Sequence, residues 1–197
     1  AHCVASAASN ISEIINSDLI VITVSDDAIL DVSHSIPKTK AIVVHTSGNV
    51  SLEALFPHEN CGVLYPLQSF KREVLLEIDQ VPLLIEGSSR EVTDSLLGLS
   101  KKLSKTIYQI SSMQRRRLHV AAVFANNFVN HMYKQAEDIC IEHDIPFEVL
   151  SPLIKETAMK VTETSPVNLQ TGPAIRKDQR TMGIHMDLLD DDQRELY

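Results

Sequence analysis

Two short runs of consecutive apolar residues constrain the fold of this chain more than any other feature. Leu19–Val24, interrupted only by Thr23, and Ala41–His45 are rich in β-branched residues and do not alternate between apolar and polar positions. A strand that is apolar on both faces is typical of a sheet covered on both sides, and such sheets are usually parallel. These two runs therefore predict buried strands of a parallel α/β sheet.

The same pattern continues to about residue 110. The other predicted strands are Cys61–Tyr65, Val81–Ile85 and Thr106–Ile110, and the predicted helices between strands are Ile11–Asn16, Ala28–His34, Val50–Leu55 and Ser89–Ser104. Strands and helices that alternate through short connections imply a parallel α/β sheet.

From about Ser111 the strand signal stops and helical periodicity takes over. One long helix is predicted from Arg115 to about His143, because apolar residues recur there at spacings of three and four. Phe147–Val161 and Thr181–Leu189 predict two more helices. We therefore expect two domains, an α/β domain over residues 1–110 and an all-α domain over residues 111–197.

Charge and hydropathy exclude several classes of protein. The chain carries 18 Lys and Arg against 26 Asp and Glu, a net charge of −8, which disfavours general binding to nucleic acid or to anionic membranes. Its apolar runs are far shorter than the roughly 20 residues of a membrane span, and the N-terminus does not resemble a signal peptide. The three scattered cysteines suggest neither a disulfide framework nor a metal site, so we expect a cytoplasmic protein without a bound metal.

Polar residues follow the first two predicted strands, where ligands of parallel α/β sheets bind. These residues are Ser25, Asp26 and Asp27 after the first strand, and Thr46, Ser47 and Gly48 after the second. Hydroxyl and backbone N–H groups near a helix start suit an anion or a ribose phosphate. The alternative is that Ser25, Asp26 and Thr46 only cap helices. His45 is open to two interpretations, as an acid or base or as a structural residue.

Two further groups of polar residues lie in the helical half. His119, Asn126, Asn127 and Asn130 share the polar face of the long helix, and asparagine is a poor helix-interior residue, so this face indicates specific hydrogen bonding or, alternatively, a solvated surface. Arg176 and Asp178 follow a Gly-Pro turn, where Arg176 could clamp a carboxylate or phosphate or form a structural ion pair. The basic run Arg115–Arg117 is interpreted as solvated or as part of an interface.

Five segments in this order resemble a known family. They are Asp18–Ile29, Val44–Gly48, Gly62–Phe70, Leu118–Phe128 and Thr171–Arg176. Together they resemble the DUF2520 family, which joins a Rossmann-like domain to a C-terminal helical domain. That family is grouped with NADP oxidoreductases and is similar to pyrroline-5-carboxylate reductase and to 6-phosphogluconate dehydrogenase.

The resemblance implies a dinucleotide, NADP or NAD, that meets a small substrate in the cleft between the two domains, and a homodimer formed through the helical domain. The implied cofactor-binding residues are Val24, Ser25, Asp26, Thr46, Ser47 and Gly48. The implied catalytic residues are His119 and Asn127, and the implied substrate contacts are Gln68, Arg176 and Asp178. In many members of the family a histidine stands at the position of Tyr65.

The chain departs from this superfamily at its glycines. It has six, and none lies in a G-x-G-x-x-G pattern, the loop that lets backbone approach a pyrophosphate. We therefore expect the strand–helix unit that carries this loop to precede residue 1. The expected function is an NAD(P)-dependent oxidoreductase acting on a small molecule, and the alternative is a non-catalytic, dimeric sensor or scaffold that binds a dinucleotide or metabolite.

Overall fold

The computed structural model of the protein describes Asn10, Ile14 and residues 16–70 and 76–197. The helix predicted over Ile11–Asn16 lies outside the described residues, apart from Ile14 and Asn16.

The described part of the first half contains one five-stranded sheet, whose spatial order is the order of the strands in the chain. Its strands are β1 (Leu19–Ile22), β2 (Ile42–His45), β3 (Cys61–Pro66), β4 (Leu83–Gly87) and β5 (Ile107–Gln109). The pairs β1–β2, β2–β3 and β4–β5 are parallel, whereas β3 and β4 are antiparallel. All five predicted strands are present, but the last two run against the first three, because an apolar run specifies burial and not strand direction.

Both faces of the sheet are covered, which explains the unbroken apolar runs. On one face, Val43 packs in a cluster with Ile20 and with Ile29 of helix α1 (Ile29–Ser35). On the other face, Val44 packs in a second cluster with Leu96 of helix α2 (Arg90–Leu103). Successive side chains of a strand point to opposite faces, so a strand covered on both sides needs apolar residues at adjacent positions.

The remaining helices follow β5. They are α3 (Ser112–Ala122), α4 (Val129–Glu142), α5 (Ser151–Glu163), α6 (Gln179–Leu188) and α7 (Asp191–Leu196), and a π-helical segment, Val123–Phe128, lies between α3 and α4. The predicted long helix is therefore helical throughout, but its Asn126–Asn127 pair lies in π-helical geometry. π-helical turns are rare and are frequent at functional sites.

Side-chain caps determine where several helices begin. Ser111 and Gln114 form a capping box that begins α3 three residues before the predicted start at Arg115. Asp178 accepts a hydrogen bond from the Thr181 backbone at the start of α6, and Asp190 does the same for Gln193 at the start of α7. These helix starts were fixed by short polar side chains rather than by apolar periodicity.

The chain forms two compact units, Ala1–Val123 and Phe124–Tyr197. The first unit holds the sheet and extends through α3, and the second holds α4 to α7. Across the described ranges, none of the helices combines the length and the apolar character needed to cross a bilayer.

Candidate functional site

Three strands of the first unit end at the same edge of the sheet. Ile22 of β1 is in register with His45 of β2, and His45 is in register with Val63 of β3. Because these strands are parallel, the residues after Ile22 and His45 leave the sheet side by side, and Tyr65 reaches the same edge two residues beyond Val63. The predicted cofactor residues are therefore brought together in one place.

The segment after β1 presents polar side chains at this edge that form no hydrogen bond to the neighbouring backbone. Ser25 stands at the N-cap position of the short 3₁₀ turn Asp26–Ala28, yet its side chain makes no cap hydrogen bond. Asp26 is exposed, and its carboxylate is close enough to act electrostatically on His45 and Tyr65. Ser25 therefore does not act as a side-chain cap, the alternative that the sequence left open.

His45 is wholly buried, and both of its ring nitrogens are engaged within the following loop. Nδ1 accepts a hydrogen bond from the Ser47 backbone N–H at 3.2 Å, so the proton on Nε2 is donated to the Ser51 carbonyl at 3.3 Å. Burial, reinforced by the positive charge of Arg115, lowers the pKa of His45 from 6.5 to about 4. Of its two interpretations, this geometry supports the structural one, since a neutral ring without a free nitrogen is a poor acid or base.

The Ser47 hydroxyl is used within the loop after β2. Ser47 Oγ accepts hydrogen bonds from the backbone N–H groups of Asn49 and Val50, at 3.0 and 2.9 Å. The half-buried Thr46 hydroxyl has no hydrogen-bond partner among the described residues. The Thr46 hydroxyl is thus open to a ligand, while Ser47 shapes the turn.

A compact contact joins this loop to helix α3. Tyr65 Oη lies 3.1 Å from His119 Nδ1, and the two rings meet edge to face with centroids 6.1 Å apart. A Cβ atom at Gly48 would lie 2.6 Å from His119 Nδ1 and 2.8 Å from Tyr65 Cζ. Only a glycine leaves room for this approach, so the predicted residues Gly48 and His119 are in direct contact, with Tyr65 as a third member.

Arg115 anchors the helix that carries His119. Its side chain is 1% exposed, its Nη1 lies 2.5 Å from Glu86 Oε2 of β4, and its Nη2 donates to the Val50 carbonyl. Ser112 adds two more bonds to the Glu86 carboxylate, from its backbone N–H at 2.8 Å and its hydroxyl at 2.7 Å. The expectation of a solvated Arg115 is wrong, because the partners that bury it are distant in sequence.

Gln68 lies three residues beyond Tyr65 and is exposed. Its Oε1 accepts a hydrogen bond from the Ser69 backbone N–H at 2.8 Å. The side-chain nitrogen of Gln68, Nε2, has no hydrogen-bond partner in the described ranges, so it is available for the predicted substrate contact.

The other predicted residues belong to the second unit. Asn127 is exposed in the π-helical segment, and Arg176 is exposed in a turn where Gly172 (φ 98°) has a backbone conformation that favours glycine. Both Asp178 oxygens accept hydrogen bonds from Thr181, from its N–H at 3.0 Å and its hydroxyl at 2.7 Å. These bonds hold the pKa of Asp178 below its usual value. The roles of Asn127, Arg176 and Asp178 in binding or catalysis stay predictions.

Among the described residues, no group of three or more His, Cys, Asp or Glu side chains is placed to hold a metal ion. Tyr65 and Arg115 are the site residues that sequence reasoning missed. The signal for Tyr65 was its position directly at the end of a predicted strand, and Arg115 carried no signal that separates it from its two basic neighbours.

Solved structures resemble the chain closely. The chain is 36% identical to the "putative NADP oxidoreductase BF3122" from Bacteroides fragilis, with a TM-score of 0.87. The alignment covers 96% of this chain and 76% of that one. Protein TM1727 from Thermotoga maritima is 22% identical with a TM-score of 0.72, over 86% of this chain and 69% of that one. A 1-pyrroline-5-carboxylate reductase from Streptococcus pyogenes shares the fold at 15% identity and a TM-score of 0.62, over 92% and 75%.

These neighbours confirm the Rossmann-like α/β fold with a helical C-terminal region that the sequence predicted. Curated protein sequences gave no match. Residues 81–197, more than half of the chain, match the model of a domain of unknown function, DUF2520. With this match and the 36% identity to BF3122, the chain belongs to the DUF2520 family.

Proposed function

We propose that this protein is an NAD(P)-dependent oxidoreductase that transfers a hydride to or from a small molecule. The observation that carries the proposal is the common edge of β1, β2 and β3, where open polar side chains lie beside the Tyr65–His119 pair. The membership in a family with BF3122, whose name specifies NADP, supports this choice of cofactor.

The residues at this edge fit the nicotinamide and ribose side of such a cofactor. Val24 is 43% exposed and offers an apolar surface for a flat ring. The Ser25 and Thr46 hydroxyls and the Asp26 carboxylate are hydrogen-bonding groups that suit ribose hydroxyls. Ser47 and Gly48 form the turn that supports Thr46.

The bound cofactor would supply the hydride, and the protein would supply orientation and a proton-bearing group. His119 is half-buried, and its Nε2 has no partner in the described part of the chain. This nitrogen can orient the substrate or give it a proton, because an imidazole N–H is both a hydrogen-bond donor and a general acid. We propose that Gln68 binds the substrate beside it, and that Asn127, Arg176 and Asp178 also contact the substrate.

Titration of the full-length protein with NADPH and NADH, followed by the fluorescence of the reduced nicotinamide, tests the cofactor. We expect saturable binding and a roughly tenfold loss of affinity in Asp26→Asn, because a hydrogen bond to a charged group is worth about 1.5–3 kcal/mol. Asp27→Asn, a neighbouring exposed carboxylate, is the matched control and should bind as the parent does. Absence of binding of either dinucleotide at millimolar concentration would contradict the proposal.

The alternative, a sensor without catalytic activity, predicts cofactor binding but no turnover. Assays of the parent and of His119→Ala with keto acids, aldehydes and imines separate the two functions. For an enzyme we expect His119→Ala to keep its cofactor affinity and to lose about a hundredfold in kcat, the low end of what a positioned acid or base contributes. Cofactor binding without turnover on every compound class would favour the sensor.

We also propose a homodimer formed through the second unit. Within that unit only Cys140 and Gln193 are buried, while large apolar side chains stand exposed on its helices. Examples are Ile141, Val149, Leu153 and Met159, whose exposed fractions lie between 61% and 67%. An obligate homodimer interface resembles a domain core cut in half, and a second copy of this chain supplies the other half.

The proposed location is the cytoplasm. Cys61 and Cys140 are both buried free thiols, as is usual in a reducing compartment.

A further inference from the structure

The hydrogen bond between Tyr65 and His119 has a direction that its surroundings determine. Tyr65 is 9% exposed, and its hydroxyl has His119 Nδ1 as its partner among the described residues. A buried O–H group that lacks a partner costs free energy, so its proton is expected to be donated to the available acceptor. Burial also raises the pKa of Tyr65, so the phenol keeps the proton that it donates.

A donated phenol proton determines which nitrogen of His119 carries hydrogen. Nδ1 accepts from Tyr65 and is therefore unprotonated in the neutral ring, which leaves the hydrogen on Nε2. Gly48 closes the Nδ1 side, because its backbone lies so near that a Cβ atom there would be only 2.6 Å from this nitrogen. The ring therefore presents Nε2–H on the side away from Gly48, and this nitrogen has no hydrogen-bond partner among the described residues.

We infer that Tyr65 is a positioning residue that fixes His119 as the Nε2–H tautomer, so that the candidate site offers a hydrogen-bond donor and selects a carbonyl substrate. The substrate class rests on the proposed function, whereas the tautomer does not. When the reduced nicotinamide of the proposed cofactor gives its hydride to a carbonyl carbon, the nicotinamide is oxidised and the carbonyl becomes an alkoxide. A preorganised N–H donor stabilises the negative charge on that oxygen until it takes a proton from water. An ammonium group has no lone pair that could accept a hydrogen bond from Nε2–H, whereas a carbonyl oxygen is an acceptor only.

Nuclear magnetic resonance of the full-length protein with ¹⁵N-labelled histidine tests the tautomer directly. At alkaline pH, where neutral rings prevail, we expect the His119 signals of a protonated Nε2 and an unprotonated, hydrogen-bonded Nδ1. His119→Gln assigns the signals by their disappearance. A hydrogen on Nδ1 in the parent would overturn the inference, whether or not the protein binds a dinucleotide.

Tyr65→Phe removes the phenol hydroxyl with little change in shape. We expect the two ¹⁵N shifts of His119 to move toward each other as the tautomers exchange, while Tyr108→Phe, at an exposed tyrosine of β5, leaves them unchanged. An unchanged His119 spectrum in folded Tyr65→Phe would refute the positioning role. Circular dichroism of both variants establishes that they are folded.

Kinetics with the carbonyl compounds test the substrate class. We expect Tyr65→Phe to lower kcat about tenfold, as for the loss of one productive hydrogen bond, without changing cofactor affinity. Turnover of amines, but of no carbonyl compound and of no alcohol that such a compound yields on reduction, would overturn the substrate class and leave the tautomer intact. Failure of both dinucleotides to bind would overturn the proposed function instead.

Discussion

At the scale of single residues, His45 shows how a group that looks catalytic can be structural. It stands at the end of a buried strand, where acids and bases of α/β enzymes are found, yet it is wholly buried and bonds the Ser47 backbone and the Ser51 carbonyl. The ring does not take up a second proton, because burial and the positive charge of Arg115 both disfavour a positive charge on His45. The residue therefore fastens the loop that carries Thr46 and Gly48.

The burial of His45 predicts that the free energy of unfolding decreases at acidic pH. The pKa of His45 is about 4 in the folded protein against 6.5 ordinarily, so between these values the unfolded chain binds a proton that the folded protein does not. The free energy of unfolding should therefore decrease as the pH falls, by about 2 kcal/mol between about pH 7 and pH 5. Urea unfolding of the parent and of His45→Gln at both pH values measures this contribution.

His34→Gln is the control, since His34 is exposed and its variant should keep the pH dependence of the parent. A His45→Gln protein that loses as much stability between the two pH values as the parent does would show that His45 is not the group responsible.

At the scale of elements, the position of α3 depends on a buried ion pair. Arg115 and Ser112, both in the first turn of α3, hold the Glu86 carboxylate of β4, and Arg115 also holds the loop after β2 through the Val50 carbonyl. His119 lies one turn further along the same helix. The network thus fastens helix α3, which carries His119, to β4 and to the loop that carries Thr46 and Gly48.

We predict that Glu86→Gln destabilises the protein by about 3 kcal/mol, because it leaves the buried Arg115 guanidinium without its counter-charge. Glu59→Gln is the matched control. It removes the carboxylate from an ion pair with Lys38 whose side chains are 90% and 80% exposed, and exposed pairs contribute less than about 1 kcal/mol. Chemical unfolding measures both changes, and equal losses would contradict a structural role for the buried pair.

At the scale of the whole molecule, the two units differ in how well they bury their apolar residues. The sheet unit has three buried apolar clusters, whereas the helical unit leaves most of its large apolar side chains exposed. Exposed apolar surface of this extent marks an interaction site. The proposed homodimer would bury it.

The homodimer can be tested with charges on that surface. In the double variant Ile141→Glu, Leu153→Glu, we expect the dimer to dissociate with a dissociation constant at least about a hundredfold higher, because burying an unpaired carboxylate costs several kcal/mol. Lys155→Glu, a charge reversal on the same helix α5, should leave the dimer intact. Sedimentation equilibrium measures all three proteins, and a parent that is monomeric at micromolar concentration would contradict the homodimer.

Local patterns in the sequence determined the elements of this protein and their class. The unbroken runs at Leu19 and Ala41 predicted strands covered on both faces, and the spacing after Ser111 predicted helices, because burial and periodicity are properties of neighbouring residues. The strand ends at Ser25 and Thr46 were predicted as candidate ligand groups for the same reason. The parallel direction predicted for the sheet holds for β1 to β3 but not for β4 and β5, which run the opposite way, since both directions bury the same side chains.

The tertiary structure decided which polar residues meet. Tyr65 and His119 are 54 positions apart, and Arg115 reaches Glu86 and Val50 across 29 and 65 positions. No spacing rule connects residues so distant, because their proximity depends on how β3, β4 and α3 pack. The sequence by itself therefore determined what the chain is made of, while only the packing made Tyr65 a partner of His119, turned His45 into a structural residue and buried Arg115.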